Sequence, residues 1–224
     1  MTSRLLIRKF DLESLCFDWK DSFWENLDAI SLNFHREENK QNPSVEVKVF
    51  YNELSLILFW KVEEMNITCN HKNHFDNVYE DSCVEFFIKP FGAVGYFNFE
   101  ISCIGKVLSY YITDWMRDSD GTLKEFTRLS IDDIEKIKIR KTFDESDEGS
   151  SEINKWFLLI EIPFQILIDN SELNKLDFEK KWHGNFYKCA DSSPLPHWSS
   201  WNKIEELNFH QPKDFGEIVF EIKL

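Results

Sequence analysis

Apolar and polar positions alternate along much of the chain, which is the pattern of β-strands with one buried face. The segment VEVKVFY (Val45–Tyr51) alternates with a period of two, and Leu54–Val62 follows it after a short turn. The same kind of pattern predicts further strands at Ser82–Lys89, Tyr96–Ile104, Val107–Trp115, Asp133–Lys141, Lys155–Ile162, Asn185–Cys189 and Gly216–Ile222. Helical periodicity is limited to short pieces such as Pro163–Ile168. Many short strands with little helix predict an all-β fold, an antiparallel, jelly-roll-like β-sandwich with short helical insertions.

The chain contains no internal repeat and no Gly/Ser-rich or Pro-rich linker. Its most polar interval, residues 144–155, is short enough for an exposed loop between strands. We therefore expect residues 1–224 to form a single domain, a size that is common for one β-sandwich.

Two neighbouring predicted strands have one apolar face and one mixed face. Val84, Phe86 and Ile88 share a face in the first strand, and Phe97, Phe99 and Ile101 share a face in the second. Pairing the two apolar faces predicts that Phe86 lies opposite Phe99, that Glu85 lies opposite Glu100, and that Phe87 lies opposite Asn98.

The dipeptide Gly105-Lys106 predicts a two-residue hairpin turn to the next strand. That turn would place Glu100 beside Tyr111, Asn98 beside Thr113 and Tyr96 beside Trp115. The mixed face would then carry these members: Glu85, Tyr96, Asn98, Glu100, Tyr111, Thr113 and Trp115.

A face that combines carboxylates, amides and aromatic rings has the chemistry of a sugar site. Sugar hydroxyls need paired donors and acceptors, and the C–H faces of the sugar ring rest on aromatic rings. The alternative is the ordinary polar face of an antiparallel sheet, covered by solvent or by loops.

Composition narrows the partners that this face could bind. Aromatic residues make up 16% of the chain, and the net charge is −14. Phosphate backbones and anionic membranes would repel such a chain, which argues against nucleic-acid and lipid partners. Neutral or cationic partners fit better, and we expect a monomer.

The five cysteines are an odd number without CxxC spacing, so neither a zinc knuckle nor a regular disulfide framework is predicted. The first 19 residues lack an apolar segment of signal-peptide length, and no later segment could span a bilayer. The sequence taken literally predicts a cytoplasmic protein, or a periplasmic or secreted one if a leader has been removed.

Three other arrangements of residues are alternative candidate sites. Glu85 and Glu100, on neighbouring strands, could supply the two carboxylates of a glycoside hydrolase. His71 and His74 could ligate a metal on a helix, although their Asn-rich segment is typical of an exposed loop. Haem-binding domains with a similar sandwich fold use Met and His as axial ligands, and Met65 and Met116 are the internal methionines that could serve here.

Three segments of the sequence resemble family-nine carbohydrate-binding modules, in particular their stand-alone branch. They are VYEDSCVEFFIKP, YFNFEISCIGKVL and, near the end of the chain, GNFYKCADSSPLPHWSSWNKIEELNFHQPKDFGEIVFE. The resemblance extends over most of Val45–Leu224. It implies a β-sandwich that binds an oligosaccharide or polysaccharide without catalysis, and in some members a structural calcium ion.

The resemblance also implies which residues hold the sugar. Tyr79 and Trp201 match the two rings that sandwich the sugar, while Glu85 and Asn98 match residues that bind its hydroxyls. We place Tyr96 and Trp198 at the border of the same site. The alternative from another class is a sandwich that serves as a protein-interaction or scaffold element, with the mixed face presented to a partner chain.

Overall fold

The computed structural model describes residues 3–12, 14–143, 149 and 151–222, and strands dominate it. In chain order the strands are β1 (Arg4–Lys9), β2 (Ile30–Ser31), β3 (Phe34–His35), β4 (Ser44–Tyr51), β5 (Ser55–Glu64), β6 (Cys83–Lys89), β7 (Tyr96–Ser102), β8 (Val107–Arg117), β9 (Leu123–Arg128), β10 (Lys138–Lys141), β11 (Asn154–Pro163), β12 (Trp182–Cys189), β13 (Trp198–Ser200) and β14 (Gly216–Phe220). The α-helices in the same part of the chain are α1 (Ser22–Glu25), α2 (Ile131–Lys136) and α3 (Phe164–Asp169). Most of the first half of the predicted polar loop, residues 144–148 and 150, lies outside the described residues.

The strands form two facing halves that β1 connects. The order of the site sheet is β14-β12-β6-β7-β8-β9, and the order of the back sheet is β10-β11-β5-β4. Arg4–Ile7 of β1 pair with β14, while Arg8 and Lys9 pair with β4. These two contacts are parallel and the other pairings of the two sheets are antiparallel, which confirms the predicted sandwich with one exception at β1.

Aromatic residues from both halves fill the space between the two sheets. Trp60 of β5 and Phe186 of β12 have ring centroids 5.9 Å apart, and Tyr51 of β4 lies 5.1 Å from Phe220 of β14. All four side chains are buried in one continuous core. The Phe-rich face predicted for β6 and β7 belongs to this core, so the mixed face of the site sheet points away from it.

The prediction of a strand at Asp133–Lys141 is wrong in its first half, where helix α2 stands instead. Ser130 precedes α2 and its hydroxyl accepts a hydrogen bond from the Asp133 backbone N–H at 3.1 Å. This cap and the acidic first turn favour a helix over the apolar alternation. The short helix predicted at Pro163–Ile168 is confirmed, with Pro163 directly before α3.

None of the helices among the described residues is long and apolar enough to cross a membrane.

Candidate functional site

The mixed face of the site sheet carries two opposed carboxyl groups. Glu85 of β6 lies directly opposite Glu100 of β7, and Phe87 opposite Asn98, which confirms the predicted register. On the other side of β6, Tyr187 of β12 lies opposite Glu85. The floor of the site is therefore a row of side chains that crosses three strands.

The predicted register between β7 and β8 is wrong by three residues. Glu100 pairs with Leu108, Asn98 with Tyr110, and Tyr96 with Ile112. The turn takes residues 102–106 rather than two residues, because the Ser102 N–H donates to the Lys106 carbonyl at 2.9 Å. The Ser102 hydroxyl also accepts from the Lys106 N–H at 3.1 Å.

This odd shift exchanges the two faces of β8. Tyr111, predicted on the mixed face, is buried in the core, where its hydroxyl accepts from the Gly95 N–H at 2.9 Å. Tyr110 takes its place on the mixed face. Thr113 and Trp115 lie farther along β8, away from the pocket at the floor.

One half of the mixed face is covered by the chain between β13 and β14. Phe215 meets the Tyr96 ring edge-on at 5.3 Å, and His210 Nδ1 lies 2.9 Å from the Tyr96 hydroxyl. Tyr96 is thus sealed within the protein and does not reach the open part of the face. Asn98 is also buried, with its amide donating to Glu100 at 2.7 Å and its carbonyl accepting from the Tyr110 N–H at 2.6 Å.

The other half of the mixed face opens into a cleft of about 750 Å³. Its lining combines polar floor residues with aromatic walls: Asn77, Tyr79, Glu85, Glu100, Leu108, Tyr110, Arg117, Thr122, Leu123, Phe126, Cys189, Asp191, Trp198, Leu207, Asn208, Phe209 and His210. A volume of this size is typical of small-molecule sites.

The structure brings Tyr79, Glu85 and Trp198 together in this cleft. Tyr79 lies on the short 3₁₀ turn Val78–Glu80 that precedes β6. Trp198 begins β13, and its indole N–H donates to Asp191 at 2.6 Å. The backbone N–H of Asp191 in turn donates to the Tyr79 carbonyl at 3.1 Å, so the two rings are held by one short network.

Trp201 does not line the cleft. Its ring packs on the core side against Phe186, with ring centroids 5.6 Å apart. Gly216 leaves the space for this ring, because a Cβ at that position would lie 2.4 Å from Trp201 Cζ3. Of Trp198 and Trp201, it is therefore Trp198 that lines the cleft.

Three aromatic walls of the cleft were not predicted. Tyr110 and Phe126 meet edge-on at 5.0 Å, and Phe209 stacks on Tyr187 at 4.1 Å. The correct β7–β8 register would have identified Tyr110. Phe126 belongs to a strand with weak alternation, and Phe209 reaches the cleft only through the path of its loop.

Burial controls the ionisation of the two carboxyl groups at the floor of the cleft, Glu85 and Glu100. Burial raises the pKa of Glu85 well above its usual value, and the neighbouring Glu100 raises it further. Burial likewise raises the pKa of Glu100 to about 8, against the opposing effect of the Asn98 hydrogen bond. Oε2 of Glu100 is buried without a hydrogen-bond partner, so the floor retains one carboxyl oxygen that is free to pair with a ligand.

The calcium ion that the resemblance implies does not fit the cluster of Cys83, Glu85 and Cys189. Among the described residues, Cys83, Glu85 and Cys189 are the one group of three His, Cys, Asp or Glu donors close enough to share an ion. Calcium prefers six to eight oxygen ligands, and two of these three donors are thiols.

The fold and the cleft define a β-sandwich with an aromatic-walled ligand site on one sheet. A family model described as carbohydrate-binding family 9 matches residues 19–220. The chain therefore belongs to carbohydrate-binding family 9, and carbohydrate binding is its function at the level of the family. A search of curated proteins finds no match.

Solved structures share the fold. A candidate carbohydrate-binding protein from Bacteroides uniformis superposes with a TM-score of 0.79 at 24% identity, covering 99% of this chain and 100% of that one. A family 9 carbohydrate-binding module from Caldicellulosiruptor kristjanssonii in complex with cellotriose gives 0.64 at 13% identity, covering 99% and 95%. The same organism's module in complex with glucose gives 0.60 at 13% identity, covering 99% and 97%.

Proposed function

We propose that the cleft binds an uncharged oligosaccharide or polysaccharide end without catalysis. The observation that carries the proposal is a pair of opposed carboxyl groups, Glu85 and Glu100, at the floor of a cleft with aromatic walls. The carboxyl oxygens accept from sugar hydroxyls, and Tyr79 and Trp198 offer ring faces to the sugar C–H groups. The net charge of −14 disfavours uronic acids and sulfated sugars.

Hydrolysis by the same two carboxyl groups is disfavoured because burial opposes the ionisation of both. A retaining glycosidase needs one ionised nucleophile and one acid, and an inverting enzyme needs an ionised base. Both pKa values are raised by burial here, and neither residue is more than 4% exposed. The proposal therefore predicts unchanged oligosaccharide by mass spectrometry after prolonged incubation; a shortened product lost in Glu100→Gln would establish catalysis instead.

Calorimetric titration with gluco-oligosaccharides is the direct test, because the related modules were solved with cellotriose and glucose. A glycan array extends the search if those sugars are not the ligand. Glu85→Ala is expected to weaken binding about tenfold, since each sugar hydrogen bond that it removes from a neutral carboxyl group is worth about 0.5–1.5 kcal/mol. Trp198→Ala is expected to cost about tenfold through the lost ring contact.

Trp115→Ala is the matched control for the ring, because Trp115 is 36% exposed and lies outside the cleft. It should bind sugar as the unaltered protein does. Absence of binding to every glycan, or equal losses in Trp115→Ala and Trp198→Ala, would contradict the proposed site.

A further inference from the structure

A pair of cysteines and a glutamate meet at the floor of the cleft, beside the carboxyl pair. Cys83 of β6 lies directly opposite Cys189 of β12, and Glu85 follows two residues along β6 on the same face. All three side chains are buried. The register of β6 against β12 thus brings two thiols and a carboxyl group to one place.

The distances between the donor atoms suit a small cation. The two Sγ atoms and a carboxyl oxygen of Glu85 all lie within 4.8 Å of one another. The Cys189 thiol donates to Glu85 Oε1 at 2.9 Å. A tetrahedral Zn²⁺ site has bonds of about 2.3 Å to sulfur and about 2.0–2.2 Å to oxygen, which separates its donors by roughly 3.5 to 4 Å. Small side-chain rotations would reach this geometry.

The cluster also has a free side. Glu85 and Cys189 line the cleft, so a water molecule or a ligand in the cleft can approach the same point. The unpartnered Oε2 of Glu100 belongs to the residue directly opposite Glu85. Three protein ligands with an open fourth position are the arrangement of zinc sites that exchange a ligand.

We propose that Cys83, Glu85 and Cys189 bind a thiophilic divalent cation of the Zn²⁺ class at the floor of the cleft. Thiolates are the preferred partners of such ions, in contrast to calcium. Because burial raises the pKa of Cys83 to about 11, the ion must displace the thiol protons as it binds. The open position faces the cleft.

Titration of the reduced protein with Co²⁺, a spectroscopic substitute for Zn²⁺, tests the proposal. We expect one equivalent to produce sulfur-to-cobalt charge-transfer absorption and tetrahedral d–d bands, and Zn²⁺ to bleach both. Cys83→Ser and Cys189→Ser should each weaken Co²⁺ binding at least tenfold, and the double variant should lose the charge-transfer absorption. Glu85→Gln should weaken Co²⁺ binding but keep the sulfur-to-cobalt charge-transfer absorption, because both thiols remain.

Two matched controls separate this site from the other thiols. Cys103→Ser alters a thiol that is equally buried but donates to the Thr68 carbonyl, and Cys16→Ser alters an exposed thiol. Both should bind Co²⁺ as the unaltered protein does. Phe126→Ala removes a ring of the cleft wall on β9, which β7 and β8 separate from β6, so it should weaken the proposed sugar binding and leave the cobalt spectrum unchanged. Failure of the metal site and failure of the sugar site are therefore distinguishable.

A thermal measurement remains decisive if a serine variant does not fold. Excess Zn²⁺ should raise the Tm of the unaltered protein and shift that of Glu85→Gln much less, because only a ligand of the folded state stabilises it. Absence of charge-transfer absorption in the reduced protein, its survival in the double variant, or equal loss in Cys103→Ser would overturn the proposal.

Discussion

Replacing Lys188 by Met is expected to lower the free energy of unfolding by about 3–5 kcal/mol, because it leaves a buried carboxylate without its counter-ion. Lys188 Nζ lies 2.9 Å from Glu64 Oε2, and both side chains are fully buried. Burial acts to raise the pKa of Glu64, but Lys188 and His197 outweigh it and hold that pKa at about 2. Urea denaturation followed by tryptophan fluorescence at neutral pH measures the change.

The double variant Glu64→Gln/Lys188→Met is the matched control for this prediction. It removes both charges, and the carbonyl of the introduced glutamine can still accept from the Trp156 indole, which now donates to Glu64 at 2.8 Å. The double variant should regain at least half of the lost stability, since a buried pair replaced as a unit costs little. If the single and double variants are equally unstable, the cost comes from packing rather than from the unpaired charge.

Acid is expected to destabilise the protein through His210, by about 2–4 kcal/mol. Burial lowers the pKa of His210 from 6.5 to about 3, and Arg117 contributes to the same shift. In the unfolded chain His210 is therefore protonated below about pH 6.5, whereas in the folded protein it is protonated only below about pH 3. Stability from this group is present above the higher value and is lost as the pH falls toward the lower one. The residue is partly exposed, so water screens the effect and the expected loss is smaller than the full shift implies.

The variant His210→Gln isolates this contribution. Glutamine keeps an acceptor for the Tyr96 hydroxyl but cannot titrate, so its unfolding free energy should fall less steeply between about pH 7 and pH 4. His183→Gln serves as the control, because His183 is exposed on β12. Equal pH profiles for His210→Gln and the unaltered protein would show that His210 does not carry the acid sensitivity.

The strand patterns predicted the fold and half of the site floor from local information. Alternation over β6 and β7 fixes which face enters the core, and only one register pairs two apolar faces, so the opposition of Glu85 and Glu100 follows. The resemblance to family 9 identified Tyr79 before β6, but it chose Trp201 as the second ring, whereas Trp198 is the tryptophan that lines the cleft. These features depend on neighbouring residues or on short motifs.

The tertiary structure decided which of the remaining residues reach the cleft. The turn at residues 102–106 places Tyr110 rather than Tyr111 on the mixed face, a choice made by the turn's hydrogen bonds and not by alternation. The chain between β13 and β14 covers Tyr96 and brings Phe209 to the cleft wall. The hydrogen bonds of one turn and the path of one long loop set these positions, and period-two patterning carries no information about either.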